Sequence, residues 1–133
     1  MAHYLLDANH LSPLVTLTHP LRQRILGQQR TQDVFSVPAP ALSEMLFGIQ
    51  VLPRREQNLR ERNHLSPFFG FYGIEQVDAE KAAHLRVELR RIGRQLEALD
   101  AFIAVIAIRF DLILLTTDRD FDPIPGLQRD NWL

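Results

Sequence analysis

The chain has no cysteine among its 133 residues. Disulfides, thiolate metal sites and a cysteine nucleophile are therefore excluded. Lysine is almost missing too: Lys81 stands alone beside fourteen arginines. Any mechanism that needs a second lysine is ruled out. The basic groups that remain are planar guanidinium forks suited to phosphate and carboxylate, although biased codon use also accounts for the imbalance. Charge of one sign is lacking as well. The formal net charge is −1, so no global basic field advertises nucleic acid. The five histidines, at 3, 10, 19, 64 and 84, show no i, i+3 or i+4 pairing, which argues against zinc. No apolar run reaches membrane-spanning length, because Asp100, Arg109 and Asp111 interrupt the longest one. The start of the chain lacks the basic, apolar and small-residue regions of a signal peptide, so a cytoplasmic location is expected.

What is present is the profile of an ordinary globular protein, 46% hydrophobic and 23% charged. The length fits one domain over residues 1–133. Residues 3–7, 33–37, 74–77, 112–116 and 127–131 read as strands. Helices are expected from Asn9 or Ser12, from His19-Pro20, from Pro38 and Pro40, from Pro53 to Leu65, from an Asp78 cap to Gly93, and over 98–109. The third of these carries Leu42, Met45, Leu46 and Ile49 at i, i+3, i+4, i+7, a core-facing stripe. In the fifth, Ala82, Leu85, Leu89 and Ile92 share a face. Alternating strands and helices predict an α/β fold, three layers with a central, mostly parallel sheet.

Acidic residues carry most of the chemical information. Asp7 closes the run His3-Tyr4-Leu5-Leu6, and Asp118 follows Leu112 to Thr117. Asp100 is the only ionisable residue between Ala98 and Ile108. A carboxylate in so apolar a segment is costly unless paired, hydrogen-bonded or bound to a metal. Acids at strand ends gather at the edge of a parallel sheet where α/β proteins place their sites. A divalent cation relieves their mutual repulsion. Without paired His or Cys, oxygen ligands point to Mg²⁺, with Mn²⁺ as the alternative.

Each candidate also has a plainer explanation. Asp7 fits a turn former or helix cap as well as a site carboxylate. Asp100 fits a first-turn acid favoured by the helix dipole. Asn9 fits a cap, and Asp120 a turn residue. Glu97 fits a first-turn dipole partner better than a further site carboxylate. Periodicity places Glu44 nearly opposite the buried stripe of its helix, as a solvated residue. Thr117 is placed to hydrogen-bond a ligand carboxylate or a water, and His10 is near enough to Asp7 to reach a site there. Arg86 and Arg90, one turn apart with Arg91 and Arg94 nearby, form either a solvated face or a groove for phosphates. Phe68, Phe69, Phe71 and Tyr72 pack near the third strand or, if exposed, mark a protein interface.

Four segments together resemble a known family. Leu5-Leu6-Asp7-Ala8-Asn9, Ser43-Glu44-Met45-Leu46-Phe47-Gly48-Ile49, Leu99-Asp100-Ala101-Phe102-Ile103-Ala104 and Leu115-Thr116-Thr117-Asp118-Arg119-Asp120-Phe121 are similar, in order and spacing, to the motifs of PIN-domain nucleases. The tail from Ile124 to Trp132 is similar too. Within that superfamily the chain resembles the VapC toxins of type II toxin–antitoxin pairs. The resemblance implies a PIN-like fold and an Mg²⁺-dependent endoribonuclease, held inactive by a VapB-like antitoxin and often homodimeric. It also carries Glu44 into the site. On that basis Asp7, Glu44, Asp100 and Asp118 hold one or two Mg²⁺ ions, Asn9 and Thr117 orient them, and Arg86 and Arg90 bind RNA. The rivals are a PIN-like module that binds RNA or protein without cutting, and a receiver-type phosphoacceptor. The receiver reading wants adjacent acids after the first strand and a lysine near the last, and neither is present.

Overall fold

The computed structural model describes residues 1–133. Five strands, β1 (His3–Leu6), β2 (Val34–Pro38), β3 (Gly70–Tyr72), β4 (Ile113–Leu115) and β5 (Arg129–Asp130), form one all-parallel sheet in the order β3-β2-β1-β4-β5. Helices α1 (Ala8–Leu11), α2 (Pro20–Gln29), α3 (Ala39–Val51), α4 (Arg55–Leu65), α5 (Gln76–Arg91) and α6 (Ala98–Arg109) cover both of its sides. No helix is long and apolar enough to cross a membrane.

The strand order creates the place where a site can form. From β1 the chain moves outward through β2 and β3, then returns to the other side of β1 for β4 and β5. Loops leaving the carboxyl ends of β1 and β4 therefore diverge and open a crevice, the switch point where parallel sheets place ligands. Pairing of Leu6 with Leu115 fixes the register there. The next residues along, Asp7 and Thr116, stand side by side at the mouth of that crevice.

Beneath it lies one contiguous core of 26 buried apolar residues, including Leu5, Leu6, Leu114 and Leu115 from the two central strands and Ala101, Ala104 and Ile106 from α6. Strands with both faces covered read as continuous apolar runs, which is why β1 and β4 are visible in the sequence. On α3 the interior stripe is Ala41, Met45 and Ile49, with Leu42 and Leu46 half-buried.

Three expectations fail for identifiable reasons. Residues 74–77 are not a strand: the third strand is Gly70–Tyr72, and Gln76 already begins α5. A Cβ at Gly70 would press on Ser36 Oγ, so a larger residue there would require Ser36 to turn its hydroxyl aside. Asp78 does not cap α5 either. The N-cap is Glu75, whose backbone N–H donates to Asp78 Oδ2 at 2.9 Å from the third helical position. Asp78 in turn is fully buried and its Oδ1 lies 3.0 Å from Arg109 Nε of α6, so it joins two helices. Likewise the helix after β1 begins neither at Asn9 nor at Ser12. Asp7 is its cap, accepting the Ala8 N–H at 2.8 Å, and Ser12 opens a 3-10 turn through Val15.

Candidate active site

Asp7 is 6% exposed and both of its oxygens are engaged. Oδ1 accepts from the Ala8 backbone. Oδ2 accepts the Thr116 hydroxyl at 2.7 Å and the Asn9 amide Nδ2 at 3.3 Å. Thus Asp7 is a cap and a crevice carboxylate at once, and the two explanations of it are compatible.

Thr116 is the residue that sequence reasoning passed over. The sequence points to Thr117 as the orienting hydroxyl, but the exposed Thr117 enters the network through its backbone N–H, which donates to Asn9 Oδ1 at 3.2 Å. Buried Thr116 donates to Asp7 and accepts from the Asp118 N–H at 3.0 Å and from Asn9 Nδ2 at 3.4 Å. Its one hydroxyl therefore ties the end of β1 to the loop after β4. The signal that finds it is the parallel register, which no single segment contains.

Asp118 follows from this. Its backbone is fixed by Thr116, and its Oδ1 accepts the Asp120 N–H at 2.9 Å, capping a 3-10 turn over Arg119–Phe121. Phe121 is fully buried and anchors that turn. Asp120 is exposed, and the structure gives it this turn contact rather than one to the other carboxylates.

Asp100 reaches the crevice from the first turn of α6, and Glu44 from α3. Burial, and then the charges of Asp7, Asp118, Glu44 and Glu97, push the Asp100 carboxyl up from 3.8 to about 6. Desolvation and like charge both disfavour the ionised form. Acids from four separate parts of the chain thus contribute to the field at Asp100. Glu44 is exposed, as periodicity indicates, yet its charge is felt at Asp100. An exposed side chain on α3 can overhang the sheet edge. Glu97, the N-cap residue of α6, belongs to the same field.

These carboxylates have no basic partners. The acids in the chain's ion pairs are Glu61, Glu75, Asp78, Glu88 and Asp122, all outside this group. No three carboxylates or imidazoles stand close enough to form a ready-made ion cage. The donor set nevertheless fits a hard divalent cation: it is all oxygen, uncompensated and partly desolvated. Mg²⁺ keeps several waters and takes few direct carboxylates, so a loose ring of acids suits it.

Beside the acids runs an open groove of ≈ 1090 Å³, lined by Arg86, Arg90 and Arg94 on one side and by Glu97 and Asp120 near the crevice. Arg86 is steadied by donating from Nε to the Leu96 carbonyl at 3.0 Å. Arg94 joins the pair that the sequence singles out, and all three arginines share the groove's lining with Glu97, whose charge is felt at Asp100.

The description "PIN domain" matches residues 4–127. The "tRNA(fMet)-specific endonuclease VapC" of Shigella flexneri is 28% identical over 137 residues, covering 99% of each chain. Among solved structures, VapBC2 from Rickettsia felis, bound to a promoter DNA fragment, superposes with a TM-score of 0.86 at 21% identity, covering 98% of this chain and 99% of the other. The DNA-bound VapBC of Salmonella typhimurium gives 0.82 at 23% identity, with both chains covered completely.

Proposed function

The chain belongs to the PIN domain family, and from that premise we propose that it is a divalent-metal-dependent endoribonuclease and the toxin half of a toxin–antitoxin pair. What carries the reading is the half-buried Asp100, whose carboxyl is pushed up to about 6 by burial first and then by the charges of Asp7, Asp118, Glu44 and Glu97, beside a groove of three arginines. Perturbed acids in a crevice are the signature of a reacting or ion-binding site. The full-length likeness to a curated RNA-cutting VapC supports the substrate class.

Asp7, Asp100, Asp118 and Glu44 would hold Mg²⁺ or Mn²⁺, some of them through water. A bound ion of this kind supplies activation of a water and stabilisation of charge on the phosphate. The rest falls to the chain's own groups. The Thr116 hydroxyl and Asn9 amide, both donating to Asp7 Oδ2, keep that oxygen in one orientation. Arg86, Arg90 and Arg94 bind the RNA backbone and hold the scissile phosphate against the acids, offsetting the absence of global positive charge.

The antitoxin side of the proposal rests on apolar surface. Phe47, Val51, Leu52, Phe68 and Phe71 are 58–69% exposed, and Phe71 lines an apolar cleft with Leu14, Leu42, Met45 and Phe69. Exposed aromatic and aliphatic groups clustered in this way suit a protein partner. The solved VapBC neighbours contain such a partner. Expressing the chain in a bacterium, with and without its genomic neighbour, and mapping new RNA 5′ ends tests the reading. Discrete cuts that vanish with Asp7→Asn and with the co-expressed neighbour are expected. An unchanged RNA population would refute it.

A further inference from the structure

A second chain of contacts enters the site from the other end of the sequence. His10 is fully buried although it is polar. Its Nε2 accepts the Trp132 backbone N–H at 3.0 Å. With Nε2 facing a donor, the neutral ring carries its proton on Nδ1, 2.7 Å from Asn9 Oδ1. Asn9 Oδ1 also accepts the Thr117 N–H, and its Nδ2 faces Asp7 Oδ2 and Thr116 Oγ1. A flipped amide would set NH₂ against two donors and its oxygen against a carboxylate. The tautomer of His10 therefore selects the orientation of Asn9, and Asn9 helps fix Asp7.

Trp132 is itself firmly seated. Its ring lies 4.9 Å from Tyr4 and 5.8 Å from Phe35, centroid to centroid, with the Arg24 guanidinium 3.7 Å above it. Its indole N–H donates to Asp130 at 3.1 Å, and Asp130 pairs with Leu115 in the sheet.

We propose that His10 is a positioning residue of the nuclease site, passing the orientation set by Trp132 through Asn9 to Asp7, so that residues 130–132 help organise a carboxylate more than 100 positions away in sequence. The inference rests on the nuclease reading above.

Two substitutions separate the two ends of the ring. His10→Asn keeps an amide donor where Nδ1 sits and loses the acceptor for Trp132. His10→Gln keeps an acceptor near Nε2 and offers nothing to Asn9. Both disturb a buried position, so a merely structural role costs them similar stability and similar activity. Positioning predicts a graded loss: His10→Gln loses about 10-fold in kcat and in Mn²⁺ affinity, with KM for RNA little changed, whereas His10→Asn, which still donates to Asn9 but is no longer held by Trp132, loses about 3-fold, as Trp132→Pro does. Cleavage, thermal melting and Mn²⁺ titration followed by electron paramagnetic resonance read these quantities. Equal behaviour of the two variants overturns the proposal. If wild type cuts RNA and Asp7→Asn does not, such equality leaves the nuclease reading standing. If wild type does not cut, that reading fails, and the order of Mn²⁺ affinities still decides the positioning. Should either variant not fold, Trp132→Pro removes the N–H from the full-length chain: a weaker Mn²⁺ affinity supports the relay, and an unchanged affinity ends it.

Discussion

Asp78 and Asp100 are both acids in the first turn of a helix, both removed from water to a large degree, and the fold treats them in opposite ways. Asp78 is fully buried and compensated: Arg109 Nη2 donates to its Oδ2 at 3.1 Å, Arg109 Nε lies 3.0 Å from its Oδ1, and Glu75 lies 2.9 Å from the same guanidinium. Asp100 has no such partner: burial first, and then the charges of four further carboxylates, push its carboxyl up to about 6. A buried acid with its own cation is structural, joining α5 to α6. Half-buried Asp100 lacks one, and the charges it feels are of its own sign. The same residue type thus reports stability in one place and chemistry in the other, and the partner makes the difference.

Substitutions can break this contrast. The largest effect expected is on cleavage. Asp7→Asn or Asp100→Asn should lower kcat by about 10³-fold or more while circular dichroism shows the fold retained, because a charge-stabilising group is removed and the apolar packing is kept. In chelator at neutral pH Asp100→Asn should melt above wild type. Arg109→Met should do the reverse. It leaves the buried Asp78 unpaired and lowers unfolding free energy by about 3 kcal/mol, measured by urea titration, with cleavage per folded molecule preserved. If both substitutions cost mainly stability, the distinction between the two acids collapses.

The pH dependence sharpens the same point. The folded chain holds the Asp100 proton up to about pH 6, whereas the unfolded chain releases it near 3.8. Between those values the unfolded state binds fewer protons, so the contribution of Asp100 to metal-free stability falls as pH rises, and the whole penalty is present above pH 6. Chemical denaturation at pH 4 to 7 in chelator should show this slope as the difference between wild type and Asp100→Asn. Mn²⁺ should flatten it by binding the ionised form.

The smallest effect is electrostatic. Replacing Arg86, Arg90 or Arg94 by Ala should weaken RNA binding and reduce the salt dependence of affinity by about 0.7 in log–log slope for each phosphate no longer neutralised. Binding measured between 50 and 200 mM salt, roughly the range over which such charges are screened, reads this directly.

Much of the fold is legible in the chain because its central strands are buried on both faces. Leu5-Leu6 and Leu114-Leu115 cannot be anything but core. The edge is harder to read. Gly70-Phe71-Tyr72 has no burial signature, since Phe71 is 58% exposed, while Ile74-Glu75-Gln76-Val77 imitates strand alternation and is a helix entry. Among the candidate residues, Asp7, Asp100 and Asp118 stand out because apolar neighbours make their charges anomalous. Glu44 does not, since nothing in its helix distinguishes an overhanging carboxylate from a solvated one; only likeness to a family finds it. Thr116 and the His10–Trp132 hydrogen bond depend on register and on segments more than 100 residues apart, information that no local window holds.

Cleavage of RNA by the purified chain, with chelator and then with Mg²⁺ added back, tests the core of this account most directly. The convergent carboxylates predict cutting that stops in chelator, resumes with Mg²⁺ and is missing from Asp7→Asn under every condition. Cutting that persists in chelator, or that Asp7→Asn retains, would contradict it.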